Sequence, residues 1–252
     1  MSEHSNQHHR LRHALGNRLA WQQRLNDPGR LTGDRQARLL ALRRWQHGRL
    51  MGSFADLLDD PQTRPAAQFF LEDLYGDRDF SSRDRDLARL LPLMARLLPV
   101  RVLRAAVQAV ELNVLSHAFD LRVADRLPVG SGGCPVIDAE VYASAYRSAG
   151  CRRARRHQID LIVAVGRDLD WAVHKHGVER LLRLSRTPAR LAGLAELQSF
   201  LERGFTAFRQ LGGADDFLNR IAEQEREVSR RLFEAHPAPF PPFDSGPNSS
   251  SR

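Results

Sequence analysis

The sequence has one lysine, Lys175, against 37 arginines, only two cysteines, Cys134 and Cys151, and no apolar run long enough to cross a bilayer. Each scarcity excludes something. A membrane helix needs about 20 consecutive apolar residues, yet the longest apolar stretch, residues 90–98, is interrupted by Pro92 and Arg96. The opening MSEHSNQHHRLRH lacks the apolar core of a signal peptide. The expectation is a soluble, cytoplasmic protein with no membrane partner. Two cysteines 17 positions apart make neither a disulfide framework nor a zinc spacing. Strand-like sequence is also scarce. Only residues 159–165 have a β-branched character, and they lie inside a longer 3.6-residue pattern.

Several catalytic signatures are missing too. The segment from Gly130 to Gly133 lacks the Lys and Ser/Thr of a phosphate-binding loop and follows no strand. There is no Gly-x-Ser-x-Gly elbow and no Glu-x-x-His pair of the kind that holds a di-iron centre in a bundle. No metal site is assigned.

What remains is the composition of a globular chain: 42% hydrophobic and 27% charged residues over 252 positions. The formal charge of +8 is unevenly spread. Residues 1–50 hold ten Arg against three acids, and residues 152–156 hold four Arg. Arginine suits both bidentate pairing with carboxylates and anion recognition, and 30 acids are present to pair with.

Apolar periodicity predicts an all-α fold, a single bundle of about nine helices. The first covers residues 6–26 and stops at Asp27, Pro28 and Gly29. The second covers 34–60, with a break expected at Gly48 or Gly52. The third begins at Pro65 and ends at Gly76, a left-handed cap. Ser81 or Ser82 caps the fourth, which Pro92 kinks. The fifth, residues 100–127, has the clearest stripe: Leu103, Val107, Val110, Val114, His117 and Leu121. A loop at 128–135 leads to a short sixth helix capped by Asp138 and carrying Tyr142 and Tyr146. The seventh covers 151–176 and stops at Gly177. A short helical segment at 178–184 precedes the eighth, at 188–211. The ninth starts near Ala214 and Asp215. Residues 1–4 are expected to be flexible, residues 5–236 to form one domain, and the Pro/Ser-rich residues 237–252 to be a disordered tail.

Polar residues on apolar stripes are the candidate sites. His117 interrupts the fifth helix's stripe. It is either a hydrogen-bonded core histidine, the commoner case, or a haem or metal ligand. Glu225 interrupts the stripe Leu218, Ile221, Val228, Leu232 of the ninth helix. A buried carboxylate must be paired, so an Arg partner is expected, with ligation or general-base chemistry as the alternative. Glu111 flanks the fifth helix's stripe and has the same two readings. Arg152, Arg153, Arg155 and Arg156, near a helix start, suit either structural pairing or an anion. They are not interleaved with aromatics, so single-strand stacking is unsupported. Asp170 and His174 could ligate at i,i+4 spacing, but with Arg156, Asp160 and Arg167 they read as a solvated polar stripe.

The run QFFLEDLYG at 68–76, followed by Asp79, Phe80 and Arg83 to Asp86, resembles an uncharacterised family of bacterial helical proteins, a domain of unknown function. Glu111 to Leu115, Tyr142, Tyr146, Arg147, Phe200 to Phe208 and Ala214 to Glu225 extend the similarity over about residues 30–230. The resemblance implies a helical fold and no activity. In residue terms, Phe70, Leu71 and Leu74 of that run make a buried face, and Glu72, Asp73 and Arg83 to Asp86 suit an ion network.

Function is therefore open at this level, and so is whether the chain is an enzyme. The first expectation is a non-catalytic helical module for a protein partner or self-association. The second is a haem- or metal-binding helical protein of ferritin-like or haem-oxygenase-like type, resting on His117 and Glu225 with Glu111 as a further cofactor candidate; a globin-like variant rests on the interval from Phe69 and Phe70 to His117. The third is an anion or nucleic-acid binder using the Arg clusters, with nucleic acid not favoured. The cofactor, if any, is unknown.

Overall fold

The computed structural model describes residues 3–25, 33–74, 100–128 and 135–241. Among them the backbone forms eleven α-helices and a π-helical turn, with no strand. The helices are α1 (Glu3–Leu25), α2 (Gly33–Ser53), α3 (Ala55–Asp59), α4 (Arg64–Gln68), α5 (Val100–Ala124), α6 (Ala139–Ala149), α7 (Arg152–Val173), α8 (Val178–Leu184), α9 (Arg186–Leu191), α10 (Ala195–Leu211) and α11 (Asp215–Phe233). The π turn, Phe69–Leu74, continues α4. No helix is long and apolar enough to cross a membrane among the described residues.

The stripe expected on α5 is a core seam. Leu103, Val107, Val110 and Val114 bury together against α1, while Leu121 joins α2, α6 and α11. α7 lies between α5 and α11 and packs on both. It approaches α11 so closely that a Cβ on Gly166 would lie 2.3 Å from Leu218 Cδ2. α10 meets the π turn in the same way: a Cβ on Gly204 would lie 2.6 Å from Phe69 Cζ. These contacts need the backbone-level approach that only glycine permits. At each large buried side chain, burial contributes roughly 1.5–3 kcal/mol relative to exposure. Asp138 caps α6 by accepting from the Val141 amide at 2.8 Å, satisfying one of the otherwise unpaired first-turn donors.

Several boundaries differ from the periodicity reading. α2 runs through Gly48 and Gly52, and the chain turns at Phe54 instead, where a buried ring anchors the break. The helix expected from residue 188 is two helices, because Gly193 adopts φ +74 and ends α9. Residues 237–241, which fall in the expected tail, are among the described residues. Phe240 is buried against Trp45 and Tyr142, with ring centroids 5.5 and 5.9 Å away. Proline prevents helix continuation there, but it does not prevent docking of one aromatic ring. The expected stop at residues 27–29, the Gly76 cap, the fourth helix with Ser81, Ser82 and Pro92, the ion network at residues 83–86, the loop core at 129–134 and residues 242–252 lie outside the described residues.

Candidate functional site

The same periodicity that builds the core places polar side chains inside it. On α2, the stripe that buries Leu39, Leu42 and Leu50 also carries Gln46 and Arg49. On α7, Arg155 and Gln158 share the buried face with Ile159 and Ile162. On α11, Glu225 and Ser229 lie beside Val228 and Leu232. α5 adds Ser116 and Asp120, and α6 adds Tyr142 and Tyr146. These five helices enclose a recessed chamber with about 70 Å³ of space for water centres. At roughly 10–15 Å³ per water centre, that volume holds a handful of waters or one small molecule.

Two carboxylates in the wall are already engaged. Glu225 receives a bidentate ion pair from Arg49: Nη1 donates to Oε1, and Nη2 donates to Oε2 at 3.1 Å. Arg49 is 6% exposed. Burial works against its charge, but Glu225 outweighs that effect and holds the guanidinium above its ordinary pKa. Asp120 accepts from Arg43 Nε at 3.4 Å. Burial pushes the Asp120 carboxyl up from its usual value, opposed by the nearby Arg43 and Arg155. The Glu225 and Asp120 side chains remain 18% and 17% exposed, so the chamber keeps contact with solvent at these walls.

Arg155 is held differently. It is 8% exposed, and its guanidinium lies between two rings, 4.1 Å from the Phe119 centroid and 4.7 Å from that of Tyr146. Its one hydrogen bond runs from Nη1 to the neutral Gln158 Oε1 at 3.3 Å. Nη2 is buried without a partner among the described residues. Around it are neutral hydroxyls. Gln158 Nε2 donates to Ser116 Oγ at 2.7 Å, Tyr146 and Ser229 share one bond at 3.0 Å, and Gln46 Nε2 reaches Tyr142 Oη at 3.5 Å. Burial raises the Tyr146 phenol above its ordinary pKa, so it stays a neutral hydroxyl at pH 7.

The candidates read from the sequence are thus dispersed. Glu225 and Arg155 share the chamber. His117 lies one step behind it: Arg43 Nη2 donates to His117 Nδ1 at 2.9 Å while also holding Asp120. Burial and the charges of Arg43 and Arg35 lower the His117 pKa to about 4, against a smaller opposite pull from the Leu25 backbone. An imidazole flanked by two guanidinium groups is a poor neighbour for a metal cation. Glu111 is elsewhere, tying α5 to α1 and α7 through Arg18 Nε at 2.8 Å and His157 Nε2 at 3.0 Å. Burial raises its pKa, but those bonds outweigh it and hold the carboxyl below its ordinary value.

The four-arginine run does not form one patch. Arg152, Arg153 and Arg156 are exposed while Arg155 faces inward, because a helix turns about 100° per residue. Arg152 faces Glu234 at 3.6 Å and the Phe233 ring. Asp170 and His174 pair with each other at 3.6 Å. Asp160 and Arg167 pair instead with Arg226 and Asp215 of α11. Among the described residues no group of three or more His, Cys, Asp or Glu could hold a metal ion. The most exposed of the large apolar side chains, Leu181, Leu184, Leu191 and Val136, lie outside the chamber.

Sequence reasoning missed Arg49, Asp120, Gln158 and the hydroxyls. The signal for Arg49 was available. It sits on α2's apolar stripe as Glu225 sits on that of α11, and two opposite charges each interrupting a stripe are candidates for one buried pair.

A family model described as a domain of unknown function, DUF8198, matches residues 27–239. No curated protein matches, and no solved structure matches. The matched span includes every residue that lines the chamber.

Proposed function

We propose that this chain, which belongs to the DUF8198 domain-of-unknown-function family, is a helical binding module that holds a small polar ligand in the chamber between α2, α5, α6, α7 and α11. The observation that carries the reading is Arg155, a buried guanidinium with an unpartnered nitrogen at a cavity of ligand size. Buried donors are almost always satisfied, and a group left short of a partner at a solvent-reachable cavity is suited to an incoming one. The wall chemistry supports binding rather than reaction. Among the described residues no histidine or cysteine lines the chamber, and Ser116 and Ser229 bond to Gln158 and Tyr146 rather than to a base.

Native mass spectrometry of the full chain tests this reading. The folded protein is expected to carry, or to take up from a panel of small neutral and charged polar compounds, one molecule per chain that is released on unfolding. A folded protein that takes up none of them would sink the reading.

A further inference from the structure

Resting on that reading, we infer that the chamber's ligand is a small oxyanion of carboxylate or phosphate type, received by Arg155. Arginine cannot shed its proton in a protein, so Arg155 stays cationic although it is more than nine-tenths buried. None of the described carboxylates lies within ion-pair distance of it, and among the described residues the guanidinium's only hydrogen-bond partner is a neutral amide. The rings of Phe119 and Tyr146 stabilise the guanidinium plane through their negative faces, but they do not neutralise it.

Three guanidinium groups, Arg43, Arg49 and Arg155, meet two carboxylates, Asp120 and Glu225. His117, with its pKa near 4, adds no charge at pH 7. One positive charge is left over in a low-dielectric interior, where a single negative charge restores balance. The two carboxylates do not repel an incoming anion as free charges would, because Arg43 and Arg49 already hold them.

Among the described residues Arg155 Nη2 and Arg49 Nε are both buried without a partner, and both residues line this cavity. The hydroxyls add more donors. Ser116 Oγ accepts from Gln158 and keeps its own proton free, Tyr142 Oη accepts from Gln46 and does likewise, and the bond between Tyr146 and Ser229 uses one of two hydroxyl protons. A set rich in unused donors fits a ligand that only accepts. An oxyanion is such a ligand, and arginine is the side chain best shaped for it. The volume limits the ligand to a few heavy atoms, the size of acetate or inorganic phosphate.

Isothermal titration and thermal shift of the dialysed full chain test the inference. The probes are sodium acetate, sodium phosphate, sodium chloride and the neutral isostere acetamide, all at matched ionic strength. Acetate or phosphate is expected to bind saturably at one site and raise Tm, and whichever binds more tightly identifies the ligand's headgroup. Chloride and acetamide are expected to do neither. Arg155→Met keeps an apolar stem against Phe119 and Tyr146, so it is expected to fold. Loss of a charged hydrogen bond should weaken the anion at least about tenfold. Should Arg155→Met fail to fold, Ser116→Ala supplies the same readout with a smaller loss. Arg153→Ala and Arg156→Ala, on the exposed side of α7, are expected to leave binding unchanged. Binding of acetamide as tight as that of acetate overturns the anion assignment while leaving the binding module standing. Anion binding lost in the Arg153 or Arg156 variants, and not in Arg155→Met, overturns it in favour of the surface. No saturable binding of any probe, with only water in the chamber, overturns both.

Discussion

Arg49 of α2 and Glu225 of α11, 176 positions apart in sequence, face each other across the core through two parallel hydrogen bonds. Such a pair stabilises little against a well-packed apolar substitute, yet it is costly to break from one side, because the surviving charge is left buried.

Arg49→Leu should therefore destabilise by roughly 3–5 kcal/mol. Glu225→Gln, which keeps a hydrogen-bond acceptor, should cost roughly 1–3 kcal/mol. The double variant Arg49→Leu/Glu225→Leu should be more stable than Arg49→Leu alone. Denaturant unfolding of the parent chain, Arg49→Leu, Glu225→Leu and the double variant measures the coupling. Additive effects would mean that the two charges do not depend on each other.

Phe240 docks on Trp45 and Tyr142 at 8% exposure. Truncation after Pro237 should lower the unfolding free energy by about 3–5 kcal/mol, the range for removing a buried aromatic ring. Phe240→Ala in the full chain should account for most of that loss. Equal melting of the truncated and full chains would return the residues after Pro237 to the role of a passive tail.

Gly204 leaves no room for a methyl group, with Phe69 Cζ 2.6 Å from where its Cβ would lie. Gly204→Ala should cost roughly 1–3 kcal/mol by overpacking, although alanine is the better helix former. Combining it with Phe69→Leu should cost less than the sum of the two single changes. A stabilised Gly204→Ala protein would show that α10 and the π turn can move apart freely.

His117 gives the fold an acid dependence. Its folded pKa, about 4, lies below the ordinary value of 6.5, so the unfolded chain binds the proton more readily. The full contribution is present above about pH 6.5 and is lost as pH falls towards 4, up to about 3 kcal/mol at 1.36 kcal/mol per unit. His117→Gln should flatten this part of the stability profile relative to the parent chain. The His117 ring resonances in an NMR titration should move near pH 4. A midpoint near 6.5 would contradict the buried, doubly flanked position.

The all-α class, the buried stripes of α5 and α11, the Asp138 cap and the anomaly at Glu225 were legible in the sequence. All are local: helix periodicity is set by 3.6 residues per turn, and a cap by four consecutive residues. The same local reasoning marked His117 and the four-arginine run as unusual, but not what faces them. Only the tertiary structure decided that Arg49 answers Glu225, that Arg43 joins His117 to Asp120, and that Arg155 alone of its cluster turns into the core. Those relationships depend on how α2, α5, α7 and α11 pack, because partners dozens to more than a hundred residues apart leave no periodic trace. The break at Phe54 and the docking of Phe240 were hidden for the same reason. Glycine and proline signal what the backbone permits locally, whereas the packed core selects which ring it buries.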